Sequence, residues 1–235
     1  MKVITALDFN NLEQAKHMVK AIGPCIDYYK VGLELFVSSG PEIIYWLKEN
    51  SKKVFLDLKF HDISNTAAQA VSAAAMYGVD MVNIHAQGGY DMMKKCADAV
   101  DNVCIKQNID KPLLIAVTLL TSLDKHYLEN LGVDMPLQDY VINLAKQAQL
   151  AGLNGVVSSA IETPVIKSTL GSGFVTVTPG IRPKGVSVDD QKRIVTPKDA
   201  LSLGTDYIVV GRPITCAVDP AFAASEIIKE ISINE

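Results

Sequence analysis

Short apolar runs alternate along this chain with longer segments of helical periodicity. In the first longer segment Ala15, Val19 and Ile22 are apolar at spacings of four and three, which predicts a helix with one buried face. The alanine-rich segment 67–76 predicts another helix. The apolar runs of strand length are residues 3–7, 26–31, 54–58, 81–84, 113–118, 155–158, 174–177 and 207–210.

Glycines mark the ends of several predicted helices. Gly78, Gly152 and Gly204 each follow a helical segment and precede a strand by a few residues, and glycine readily adopts the left-handed conformation that ends a helix. Strands separated by helices run parallel, so eight such units predict one closed (β/α)8 TIM barrel, a single α/β domain over residues 1–235. An open doubly wound sheet fits less well, because no Gly-x-Gly-x-x-Gly follows the first strand.

Charged residues lie where the third predicted strand ends. Asp57 and Lys59 are two positions apart, so in a strand their side chains share a face. Asp62 follows on the loop and could return to flank the ammonium from its other side. Because buried charges are costly unless they are paired, this arrangement indicates either a catalytic array or a salt-bridged strand end.

Polar residues also end the neighbouring strands. Asp8 follows the first strand, Lys30 ends the second, and Asn83 and His85 lie on the fourth. Asp8 could instead cap the first helix, and Lys30 could simply neutralise Asp8. Catalytic groups of barrels collect at the C-terminal ends of the strands, so the recurrence of polar residues there favours a functional site.

Composition narrows the class of partner. The chain has 22 basic and 26 acidic residues and a net charge of −4, which gives no electrostatic indication of nucleic acid or of an anionic membrane surface. The N-terminal apolar run is too short for a signal peptide, and no segment approaches membrane-spanning length. The four cysteines have no Cys-x-x-Cys spacing. We therefore expect a cytoplasmic protein that acts on small molecules.

The last two units suit a phosphate group. After the eighth strand, Gly211 lets an oxygen approach the backbone, Arg212 supplies a bidentate donor, and Pro213 suits the first turn of a helix. After the seventh strand, residues 178–197 form a candidate phosphate-gripping lid in which Arg182 and Gln191 could close over the ligand. A surface loop without function is the alternative for residues 184–190.

Four segments together resemble the orotidine 5′-phosphate decarboxylase family. In chain order they are DLKFHDISNT at 57–66, LTS at 120–122, PGIRP at 179–183 and VGRPI at 210–214. One departure is Ser64, where the family usually has proline, which affects the rigidity of that loop rather than any reacting group.

The resemblance implies conversion of orotidine 5′-phosphate to uridine 5′-phosphate, the last step of de novo UMP synthesis, without a cofactor or metal. Lys59 would be the proton donor within a charge array that also contains Asp57, Asp62 and Lys30. The substrate contacts implied are Asp8 and Lys30 with the ribose, Thr121 with the pyrimidine, and Arg182, Gln191, Gly211 and Arg212 with the phosphate. The family's functional unit is a homodimer, in which Asp62, Ile63 and Thr66 would reach the neighbouring site.

Two other functions remain open at this point. The Asp-x-Lys-x-x-Asp core also resembles sugar-phosphate decarboxylases and aldolases of related barrels, which use a divalent metal. Asp57, Asp62, His61 and His85 could supply ligands, although Lys59 would crowd a cation. A non-catalytic nucleotide-binding barrel is the third function, and the charge array argues against it.

Overall fold

The computed structural model describes residues 1–183 and 195–232. In these residues eight parallel strands form a closed barrel in chain order, with the first strand paired to the eighth. The predicted (β/α)8 barrel is therefore confirmed. Gln191 and most of the predicted lid lie outside the described residues.

The predicted strands agree with the observed ones to within two residues at each end. The strands are β1 Lys2–Leu7, β2 Tyr28–Gly32, β3 Lys53–Phe60, β4 Met81–His85, β5 Leu113–Val117, β6 Gly155–Val157, β7 Val175–Thr178 and β8 Tyr207–Val210. The α-helices of the described residues are α1 Leu12–Ile22, α2 Leu33–Ser39, α3 Glu42–Glu49, α4 Ser64–Met76, α5 Gly89–Gln107, α6 Lys125–Asn130, α7 Leu137–Leu150, α8 Thr163–Leu170, α9 Pro197–Ser202, α10 Arg212–Thr215 and α11 Pro220–Ser232. Short 3₁₀ turns are Gly23–Cys25, Ala86–Gly88 and Ala160–Glu162.

The apolar core has two layers because side chains of a strand alternate between the faces of the sheet. One layer lies between the sheet and the surrounding helices. The other fills the inside of the barrel and consists of Ile4, Ala6, Tyr28, Phe55, Met81, Ile115, Val177 and Val209. The barrel is therefore a packed core, and a ligand must bind at its end rather than pass through it.

Three side chains accept hydrogen bonds from backbone groups at the N-terminal end of the barrel. Asp80, Asn154 and Asp206 immediately precede the even strands β4, β6 and β8, directly after the predicted glycine turns. Each accepts a hydrogen bond from a backbone N–H near the start of the preceding odd strand, at 2.7–2.9 Å, and the donors are Val54, Leu114 and Thr176. Lysines also bind both aspartates, through the pairs Lys48–Asp80 and Lys167–Asp206. These contacts stabilise the end of the barrel opposite the polar strand ends.

We predict that Asp206→Ala lowers the free energy of unfolding by about 2–3 kcal/mol, because it leaves the buried Thr176 N–H and the Lys167 ammonium without this acceptor. Urea unfolding measures the loss. Asp134→Ala is the control, since Asp134 is exposed and has no hydrogen bond or ion pair within the described residues, and it should change stability by less than about 0.5 kcal/mol. Equal losses in the two variants would contradict this role.

Candidate active site

The site begins where the inward-facing positions of the barrel change from apolar to polar. Lys30, Asp57 and Asn83 each lie two residues beyond a side chain of the apolar interior, which on these strands are Tyr28, Phe55 and Met81. A step of two keeps the same face of a strand, so these polar groups point inward at the C-terminal end. All three are buried.

Four charged groups form a continuous array there. The Lys59 ammonium lies 2.8 Å from Asp57 Oδ1, and the Lys30 ammonium lies 3.5 Å from Asp57 Oδ2. Lys30 also binds Asp8 Oδ1 at 2.8 Å. Asp8 is therefore part of the site, and the helix cap of α1 is Asn11, whose side chain accepts the N–H groups of the first turn. The order Lys59, Asp57, Lys30, Asp8 alternates positive and negative charge.

Opposing effects set the ionisation of the buried pair. Burial alone would favour neutral Asp57, but the ammonium groups of Lys30 and Lys59 outweigh it and lower the pKa of this carboxyl. Burial likewise opposes the charge on Lys30, but Asp57 and Asp8 outweigh it and raise the pKa of the Lys30 ammonium. Both groups are therefore charged near neutral pH.

An irregularity in β3 positions Lys59. Leu56 pairs with Val82 and Phe60 with Ile84, so four residue steps on β3 oppose two on β4. Lys59 has a left-handed backbone with φ +51°, which costs a non-glycine residue about 1 kcal/mol or more. The Asp57–Lys59 pair is thus present, but a bulge brings the two groups together rather than the regular strand used in the prediction.

The loop after β3 and the first turn of α4 point three predicted residues outward. Asp62, Ile63 and Thr66 are exposed, and 74% of the Ile63 surface is accessible. Asp62 Oδ1 accepts the Ile63 N–H at 2.7 Å and makes no ion pair with a lysine or arginine of the described residues. The aspartate therefore does not flank Lys59 of its own chain.

Two adjoining cavities of about 200 and 170 Å³ lie over this array. Asp57, Lys59 and Thr121 line the first, with apolar neighbours that include Leu119, Val157 and Val117. The second is bounded by Asp8, Gly180, Arg182, Gly211 and Arg212. The residues shared by the two cavities are Lys30, Pro179 and Val209. One cleft thus joins the lysine–aspartate array to a pair of arginines.

The two arginines differ in their surroundings. Arg182 is only 7% exposed, and its Nη1 donates to the carbonyl oxygen of Ile181 at 3.0 Å. Its backbone N–H donates to the carbonyl of Val195, which holds the described ends of the predicted lid together. Arg212 is exposed and begins α10 directly after Gly211. A buried and an exposed guanidinium therefore bound the same end of the cleft.

The structure shows contacts of further residues around the array. Asn83 binds both Asp57 and the backbone of Lys59. A Cβ on Gly32 would lie 2.8 Å from the Lys30 ammonium, so glycine there leaves room for the Lys30–Asp8 pair. His61 and His85 stack with ring centroids 5.3 Å apart. Burial, with additional contributions from His61 and Lys59, lowers the pKa of His85.

The described residues contain neither a metal-binding cluster nor a membrane-spanning helix. Across residues 1–183 and 195–232, no group of three or more His, Cys, Asp or Glu side chains is arranged to hold a metal ion. No helix in the same part of the chain is both long enough and apolar enough to cross a membrane.

Comparison with known proteins agrees with this geometry. Residues 1–227 match the model of the orotidine 5′-phosphate decarboxylase / HUMPS family. The chain belongs to this family. It is 50% identical to an orotidine 5′-phosphate decarboxylase of Pseudoalteromonas translucida, over 98% of this chain and 97% of the relative. A relative of the same name from Trichlorobacter lovleyi is 45% identical over 98% of this chain and 95% of its own length. The crystal structure of the Lactobacillus acidophilus orotidine 5′-phosphate decarboxylase superposes with a TM-score of 0.86 at 39% identity, covering 98% of both chains.

The match to the orotidine 5′-phosphate decarboxylase / HUMPS family includes both the barrel and the cleft. The match runs from β1 into α11, so it includes every strand whose end contributes to the array. The family identified from four short motifs is therefore confirmed by the whole chain.

The lowered pKa of His85 predicts a pH dependence of stability. Below about pH 6.5 the unfolded chain binds a proton at His85 more readily than the folded chain does. The contribution of neutral His85 to the free energy of unfolding is therefore fully present above that pH and is lost as the pH falls through the folded pKa. Between pH 7.5 and 5.5, wild type should lose a few tenths to about 1 kcal/mol more than His85→Gln in urea unfolding. His17→Gln, a change on the exposed face of α1, should follow wild type. Parallel losses in wild type and His85→Gln would be inconsistent with this account.

Proposed function

We propose that this chain decarboxylates orotidine 5′-phosphate to uridine 5′-phosphate. The observation that carries the proposal is the single cleft that joins the Lys59–Asp57 pair to Arg182 and Arg212. A pyrimidine nucleotide has a base at one end and a dianionic phosphate at the other, which matches the two ends of this cleft. The relatives that share about half of its residues bear the name of the same activity.

The reaction requires stabilisation of a carbanion. When the bond between the ring carbon and the carboxylate breaks, carbon dioxide leaves and the electron pair remains on a ring carbon that has no carbonyl placed to delocalise it. The Lys59 ammonium supplies a positive charge at the end of the cleft and then transfers a proton to that carbon. The neutral amine regains its proton from solvent.

Asp57 gives the site its preference for the transition state. Its carboxylate is buried and negatively charged next to Lys59, where the substrate carboxylate would lie. As the substrate carboxylate becomes neutral carbon dioxide, its repulsion from Asp57 falls while its ring carbon gains charge near Lys59. Interactions that strengthen only as the bond breaks raise kcat rather than ground-state affinity.

The remaining contacts bind parts of the nucleotide that lie away from the reacting carbon. Asp8 and Lys30 bind the ribose hydroxyls, and Thr121 binds the pyrimidine. The phosphate is bound by Arg182, Gly211 and Arg212 together with Gln191, which lies outside the described residues. Phosphate binding far from the scissile bond can supply the free energy that closes and dehydrates the site.

The functional unit in this proposal is a cytoplasmic homodimer. Asp62 and Ile63 are exposed on the loop that starts beside the array, and Thr66 is exposed in the first turn of α4. Ile63 presents a large apolar surface to its surroundings. The loop reaches a second copy, so that the Asp62 carboxylate flanks the other chain's Lys59. The cytoplasmic location rests on the substrate, a phosphorylated anion that does not cross membranes unaided.

We expect Lys59→Ala to lower kcat by at least about 10⁴-fold, because it removes both the charge near the carbanion and the proton donor. The dissociation constant of uridine 5′-phosphate should change little, since the phosphate and ribose contacts remain. The spectrophotometric loss of orotidine 5′-phosphate and calorimetric titration of the product measure the two quantities. Lys229→Ala, on the exposed face of α11, is the control. Near-normal turnover of Lys59→Ala would refute the role of this lysine.

The shared site predicts complementation between two inactive variants. Lys59→Ala and Asp62→Ala should each be inactive alone, whereas a mixed dimer contains one site with both residues intact. Equal amounts that exchange subunits freely should recover about a quarter of the wild-type activity, because half of the dimers are mixed and each has one competent site. Mixing at an equal total concentration with either parent alone is the control. An inactive mixture in which mixed dimers are detected would argue against the shared site.

A further inference from the structure

We infer that Asn83 is a positioning residue for the proposed decarboxylation, and that its side-chain amide sets the relative placement of Asp57 and Lys59. This inference rests on the proposed function. Asn83 does not line the cleft, and its side chain is completely buried on β4. It therefore acts through the two charged residues.

The amide of Asn83 makes two hydrogen bonds of opposite sense. Its Oδ1 accepts the Lys59 backbone N–H at 2.8 Å, and its Nδ2 donates to Asp57 Oδ1 at 2.7 Å. The same Asp57 oxygen lies 2.8 Å from the Lys59 ammonium. One side chain thus holds the backbone of the proton donor and the carboxylate that faces it.

The bulge in β3 explains why a side chain is needed at this point. The extra residues of β3 lie opposite Asn83, between the pairs Leu56–Val82 and Phe60–Ile84. A regular ladder would satisfy the Lys59 N–H with a backbone carbonyl of the neighbouring strand, but the bulge interrupts the ladder. The Asn83 oxygen replaces that acceptor and holds Lys59 in its left-handed conformation.

Only a group with an acceptor and a donor at this separation satisfies both contacts. A protonated carboxyl in the same position keeps both functions, whereas an ionised carboxylate keeps the acceptor but repels Asp57. The charged groups that face position 83 from β3 are Asp57 and Lys59, and Lys30 of β2 lies beyond Asp57. His85 is the titratable group further along β4, with His61 stacked on it. On the other side, β5 contributes only the apolar residues of Leu113–Val117.

The test is the pH profile of Asn83→Asp. At pH 5.5 part of the introduced carboxyl is protonated and can donate to Asp57, so kcat should lie within about 10-fold of wild type. By pH 8 its ionisation should lower kcat at least about 100-fold relative to wild type at the same pH. The dissociation constant of uridine 5′-phosphate should stay within about threefold of wild type at both values.

Asn154→Asp is the matched control. Asn154 Oδ1 accepts the Leu114 N–H at 2.9 Å, the same kind of contact at the opposite end of the barrel. Its kcat should follow the wild-type pH profile even if the protein is less stable. An Asn83→Asp profile parallel to that of wild type would overturn the inference, as would equal pH-dependent loss in Asn154→Asp.

If Asn83→Asp does not fold, a second variant tests the same positioning role. Asn83→Ser leaves a small polar cavity and cannot span both partners, so folded protein, checked by circular dichroism, should lose kcat at least about 10-fold and still bind uridine 5′-phosphate. Retention of wild-type kcat in Asn83→Ser would reject the positioning role. Wild type is assayed alongside, because absence of turnover by wild type would instead refute the proposed function.

Discussion

The geometry of the candidate site depends on the buried carboxylate of Asp57 remaining charged. A carboxylate in this position is stable only when donors replace its lost hydration, and here two ammonium groups and an amide do so. Each donor comes from a different place: Lys30 from β2, Lys59 from the bulge of β3 and Asn83 from β4. Their convergence explains why β3 departs from a regular strand at this point. In a regular β3 the Lys59 N–H would donate to a backbone carbonyl of the neighbouring strand and not to a side chain.

Stability and chemistry are separated along the barrel axis. At the N-terminal end, Asp80, Asn154 and Asp206 satisfy the N–H groups near the starts of odd strands through short contacts without backbone strain. At the C-terminal end, buried charges and a left-handed lysine are held in an arrangement that would be costly without its partners. The apolar interior lies between the two ends. The regular part of the barrel therefore stabilises the strained backbone near the site.

Much of this architecture follows from patterns of apolar residues. Apolar runs and glycine turns predicted the eight strands closely, because parallel strands are buried on both faces and have few other ways to fold. The same reasoning placed Asp8, Lys30 and Asp57 at one end of the barrel. It failed at the register break of β3, since the two extra residues are visible only once β3 is aligned with β4. Asn83 was noticed but had no role, because its function depends on that alignment. The outward direction of Asp62 also could not be inferred from spacing alone.

A crystal structure of this chain with uridine 5′-phosphate bound would show whether Lys59 is placed to act on the ring carbon. We expect the Lys59 ammonium to point at the ring carbon that loses carbon dioxide, within hydrogen-bonding distance of it, while Asp57 keeps its contacts with Lys30, Lys59 and Asn83. The phosphate should lie between Arg182 and Arg212. A complex in which the Lys59 amine turns away from the pyrimidine, or in which Asp57 separates from the two lysines, would refute the proposed role of this charge array.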